Sequence, residues 1–135
     1  MSITLKNTGD VTSQYVKFLT YGAAGAGKTT LIGTLPKPVV LSAEGGLMSL
    51  RDKDIPYIEI SSMDDLKEAF TWCMESDEAK QFETIALDSL SEVAEVVLAT
   101  EKAASKDPRQ AYSALMDQMA QIVRGFRDLP KHIYM

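Results

Sequence analysis

The sequence predicts an α/β domain built on a parallel sheet of about five strands, with helices on both faces. Three observations predict it. Short β-rich runs alternate with stretches of helical periodicity along the chain. One run leads straight into a glycine-rich loop that continues as a helix. Another, largely apolar, ends on an aspartate. Strands that alternate with helices pair in parallel through right-handed crossovers, and both faces of such a sheet are covered.

Residues 16–21 (Val-Lys-Phe-Leu-Thr-Tyr) are a β-rich run with partial alternation, read as a buried strand ending in the glycine loop. A helix follows over residues 28–34, stopped by Pro36 and Pro38. Residues 39–42 are a second strand, with Glu44-Gly45-Gly46 just beyond it, and residues 55–60 are a third. Residues 62–74 form a helix, with Ser62 and Asp65 as a capping box. Leu66, Ala69, Phe70 and Cys73 share one face of it at helical spacing, so Cys73 reads as core filler rather than a reactive thiol. Residues 84–87 are an apolar strand that stops at Asp88. Ser89 and Glu92 offer a second capping box for a helix over residues 89–104. Asp107 as N-cap and Pro108 at the first position then open a long helix. Its Tyr112, Leu115, Met116, Met119, Ile122, Val123 and Phe126 recur at three or four residues, a core-facing stripe. Pro130 marks its end, and residues 131–135 begin a fifth strand, with His132 in a structural or surface role.

The bulk numbers narrow the function. A length of 135 residues suits one compact domain, with residues 1–15 as a lead-in. No apolar run approaches the roughly 20 residues that cross a bilayer. The first ten residues lack the apolar segment of a secretory signal. A single cysteine allows no internal disulfide. Together these point to a cytoplasmic protein without a membrane partner. The formal net charge of −5 argues against binding nucleic acid by bulk charge, so any such contact requires a local basic loop, a subunit assembly or sequence outside this chain.

The chemistry is concentrated in Gly22-Ala23-Ala24-Gly25-Ala26-Gly27-Lys28-Thr29, which fits G-x-x-x-x-G-K-[ST] in full. Glycine lets the backbone curl around a phosphate with its amide N–H groups inward. The following helix adds the positive end of its dipole, and its first turn includes Thr30. Lys28 reaches β- and γ-phosphates as a point charge, and the Thr29 hydroxyl ligates Mg²⁺. The loop alanines are small and leave room for the ligand. This is a phosphate-binding loop (P-loop) for a nucleoside triphosphate, read as ATP with Mg²⁺.

Asp88, at the end of an apolar strand, has the form of the second metal-holding acid of P-loop enzymes. The alternative is an ordinary aspartate whose charge suits a helix start. Glu44 lies just past a parallel strand, where open α/β sheets place their ligands. A carboxylate there can activate the attacking water. The alternative is a solvated loop residue, with Gly45-Gly46 making the turn.

Taken together, G-A-A-G-A-G-K-T, the strand leading to Ala43-Glu44, T-I-A-L-D-S and the final R-G-F-R-D-L-P-K-H-I-Y-M resemble the phage-encoded RecA-like ATPases, some of which assist single-strand DNA annealing. The resemblance runs from about Lys17 to Met135. It implies a RecA-like P-loop NTPase sheet in which the strand after the long helix lies between the P-loop strand and the strand ending at Asp88. It gives Glu44 the role of general base and Asp88 that of the Walker B aspartate. Ser89 argues against the AAA+ branch, where a glutamate takes that place. Lys102, Lys106 and Arg109 fall where such proteins carry a first DNA-contacting loop, although the residues themselves read more readily as a solvated helix connection. Implied partners are nucleotide, single-stranded DNA, a phage recombination or single-strand-binding protein, and further copies of the chain. The implied compartment is the host cytoplasm. The last strand ends at apolar Met135, where the family carries a polar γ-phosphate sensor. The C-terminal part of the fold is therefore expected to be missing.

Two other functions compete. A P-loop small-molecule kinase would need an arginine-rich lid, and the four arginines (Arg51, Arg109, Arg124 and Arg127) do not form one. A non-catalytic nucleotide-dependent regulatory module would bind without turnover.

Overall fold

The computed structural model describes residues 2–10, 15–22, 27–43, 45 and 47–135. Five parallel strands run β1 (Lys17–Phe18), β2 (Pro38–Ser42), β3 (Tyr57–Glu59), β4 (Thr84–Asp88) and β5 (His132–Tyr134). Their order across the sheet is β1-β5-β4-β2-β3. The strand after the long helix thus inserts between β1 and β4, as the resemblance implies. The helices are α1 (Lys28–Ile32), α2 (Met63–Glu75), α3 (Leu90–Ala104) and α4 (Pro108–Arg127). Short 3₁₀ segments at Thr8–Asp10, Leu47–Lys53 and Glu78–Gln81 complete the described elements, and the sequence reading missed all three. Among the described residues, no helix is long and apolar enough to cross a membrane.

Strand side chains alternate between two faces, and here both faces are apolar. Val39, Leu41, Ile85, Leu87 and Ile133 point to one side, where Leu66, Ala69, Cys73, Val93, Val97 and Phe126 of α2, α3 and α4 cover them. Val40, Ala86 and Tyr134, one residue along each strand, point to the other, under Ile32 of α1 and Leu50. Cys73 is core, as expected, and burial pushes its thiol up to about 11.

The helix starts follow the sequence signals. Ser62 Oγ accepts from the Asp65 N–H (3.1 Å), Ser89 Oγ from the Glu92 N–H (3.3 Å) and Asp107 from the Arg109 N–H (3.0 Å). At α2 the return bond goes one residue further back than a capping box requires: the Asp65 carboxylate accepts from the Ser61 N–H and hydroxyl. Those two bonds hold the Asp65 carboxyl below its ordinary range.

Three expectations need correction. The strand over residues 16–21 is not buried: β1 is the edge of the sheet, paired on one side by β5, and Val16, Leu19 and Tyr21 are exposed. The first helix ends at Ile32 rather than residue 34, because Gly33, Thr34 and Leu35 close tight turns onto the carbonyls of Thr30, Leu31 and Ile32. In α4, Phe126 is buried and Leu115, Met119 and Ile122 pack on the core, but Tyr112 and Met116 (74 % exposed) do not face it. Tyr112 instead lies under the Lys102 ammonium, 5.7 Å from the ring centre.

Candidate functional site

Of the residues read as a phosphate site, Gly22, Gly27, Lys28, Thr29, Thr30 and Asp88 are described. Ala23, Ala24, Gly25, Ala26 and Glu44 lie outside the described residues. Gly27 caps α1 with φ of 99°, in the left-handed region where a β-carbon is strained, so the motif glycine is needed for its backbone. The Leu31 N–H closes onto the Gly27 carbonyl at 3.0 Å and fixes the first turn. The Lys28 ammonium reaches back across the loop and donates to the Gly22 carbonyl at 2.8 Å. Thr30, in the same turn, is exposed.

Thr29 and Asp88 are 59 residues apart in sequence, and the fold brings them into contact. The Thr29 hydroxyl donates to Asp88 Oδ2 at 3.0 Å. Asp88 is the last residue of β4 and only 5 % exposed, and a carboxylate in such a place needs polar partners. Its neighbour in register is Ser42, and its carbonyl accepts from the Ala43 N–H at 2.8 Å. The segment entering Glu44 is therefore tied to the same strand end. Beyond it, Gly45 has φ of 77° and donates its N–H to Ser42 Oγ at 3.2 Å. Ser89, just past Asp88 across a cis peptide bond, caps α3.

A cavity of about 400 Å³ opens here, at the C-terminal ends of β1, β5 and β4. Lys28, Asp88, Ser89 and Tyr134 give it a polar side, and Leu90 and Met119 are part of its apolar wall. Hard oxygen donors such as the Thr29 hydroxyl and Asp88 carboxylate suit Mg²⁺, which is typically held by one or two carboxylates plus substrate phosphates and water. Among the described residues, no cluster of three or more His, Cys, Asp or Glu offers an all-protein cage instead.

A family model described as an AAA domain matches residues 14–135. The chain belongs to the AAA domain family. No curated protein and no solved structure matches it. An AAA domain is a nucleotide-binding, ATPase-type domain on a P-loop fold, which agrees with the parallel sheet. Ser89, the residue after Asp88, is the N-cap of α3.

The sequence reading missed the groups that hold β5 in place. The buried Lys131 ammonium donates to the carbonyls of Ala79 (2.8 Å) and Phe82, at the 3₁₀ turn Glu78–Gln81. The Lys17 ammonium donates to the carbonyls of Leu129 and Lys131. Burial pulls both lysines below their usual range, opposed by the Cys73 thiol at Lys131 and by Asp128 at Lys17. His132 is structural: its Nδ1 accepts from the Val16 N–H at 2.9 Å. A lysine just after Pro130 gave no sequence signal, because nothing in the chain marks its carbonyl partners.

Proposed function

We propose that this chain binds Mg-ATP at the loop from Gly22 to Thr29 and hydrolyses it, in the manner of a RecA-like ATPase coupled to single-stranded DNA in phage recombination or annealing. The observation that carries the reading is the 3.0 Å contact between the Thr29 hydroxyl and Asp88 Oδ2. It supports one metal position addressed by both residues, beside the Lys28 ammonium. Mg²⁺ bound there would neutralise charge on the β- and γ-phosphates. Lys28 would exchange the Gly22 carbonyl for the phosphates, and Gly27 and the first turn of α1 would present main-chain N–H groups to them. Glu44 is assigned as general base, taking a proton from the attacking water, on its position just past β2. Exposed Lys102, Lys106 and Arg109, at the turn between α3 and α4, are the basic group on an otherwise acidic chain that suits a DNA backbone.

Phosphate release from Mg-ATP, with and without single-stranded DNA, tests this. The wild-type chain should turn over faster with DNA. Glu44→Gln should keep nucleotide binding and lose most turnover, since an amide cannot take a proton. Turnover unaffected by that substitution would remove Glu44 from its role. Turnover indifferent to DNA, with no DNA binding, would leave an ATPase without the recombination partner.

A further inference from the structure

Two consecutive residues of the β5 end reach both flanks of the phosphate loop. On the near side, the Met135 carbonyl accepts from the Thr20 N–H at 2.7 Å and from Thr20 Oγ1 at 3.1 Å, two residues before Gly22. On the far side, the Tyr134 hydroxyl donates to the carbonyl of Lys28 itself. Tyr134 is only 2 % exposed, and its ring meets Phe18 of β1 edge-on at 5.0 Å, which fixes the direction of the hydroxyl. The base of β5 is anchored in turn, because the Lys17 and Lys131 ammonium groups clamp the segment that leads into it.

We propose that β5 is a brace for the phosphate loop and that Tyr134 is its positioning residue. The hydroxyl holds the Lys28 main chain, and with it the ammonium and the N–H groups of the first α1 turn, at the spacing that a triphosphate needs. Thr20 and Met135 fix the other flank. This rests on the phosphate-site reading above. Tyr134 touches no reacting atom; it acts through Lys28.

The test is calorimetric titration of the whole chain with Mg-ATP, alongside thermal unfolding without nucleotide. Tyr134→Phe keeps the ring and removes one hydrogen bond, so binding should weaken by about three- to tenfold. Thr20→Val removes the hydroxyl on the other flank and should weaken binding by a smaller factor. A merely structural tyrosine would lower the unfolding temperature and leave the affinity of the folded chain unchanged, and that result overturns the proposal. If Tyr134→Phe does not fold, Thr20→Val decides alone: weaker binding supports the brace, and unchanged binding overturns it. Should the wild-type chain bind no Mg-ATP, the phosphate-site reading fails, and the brace with it. Wild-type binding with unaffected variants removes the brace only.

Discussion

The two faces of the sheet are built from alternate residues of the same strands, yet they differ in what covers them. Under α2, α3 and α4, Val39, Leu41, Ile85, Leu87 and Ile133 meet a thick layer with Phe126 at its centre. Under the short α1 and the turn at Leu47–Lys53, Val40, Ala86 and Tyr134 meet a smaller cluster among the described residues: buried Ile32 and Leu50, with Phe18, Leu35, Leu47 and Ile55 partly buried around them. The difference teaches where each property resides. Apolar burial on the thick face holds the fold. The thin face leaves the first turn of α1 close to the strand ends, where Lys28 and Thr29 meet Asp88 and Tyr134. A face packed throughout with large side chains would stabilise the sheet and crowd out the phosphate loop.

Substitutions on the thick face should affect stability before binding. Phe126→Ala should have the largest effect, about 3–5 kcal/mol by urea unfolding, from lost burial and the cavity left against Phe70. A loss below 1 kcal/mol would mean that the thick layer does not hold the fold. Cys73 provides a titration of the same face. Its thiol is raised from 9.0 to about 11, so the folded state retains its proton more firmly. That stability is fully present below pH 9 and is lost as pH rises toward 11, roughly 3 kcal/mol in all. Cys73→Ala should flatten the decline between those pH values, and an unchanged slope would place the cause elsewhere. Ser62→Ala, which removes the α2 cap far from the phosphate loop, should cost about 1 kcal/mol and leave nucleotide affinity untouched. On the thin face, Ile32→Val should cost only about 0.5–1.5 kcal/mol. If it cost as much as Phe126→Ala, the contrast between the faces would not hold.

Much of this was legible in the sequence. Residues 84–88 announced both a strand and its terminal acid, because an unbroken apolar run ending in aspartate satisfies a doubly covered strand and little else. Ser62, Ser89 and Asp107 marked three helix starts through side-chain chemistry that acts within three residues. The edge position of β1 was not legible, since pairing on one side or two is decided by distant strands. That Tyr134 faces away from Ile133, and that its hydroxyl ends on Lys28, was not legible, since both depend on elements distant in the chain. Tyr112 and Met116 looked like core because helical spacing records which residues share a face, not how far the neighbouring helix extends to cover it.

The phosphate-binding role of the thin face is tested most directly by calorimetry of the folded chain with Mg-ATP, for wild type and Lys28→Ala. We expect saturable binding by wild type and none by the variant, with both unfolding at the same temperature. Wild type that takes up no nucleotide, or Lys28→Ala that binds as tightly as wild type, would contradict it.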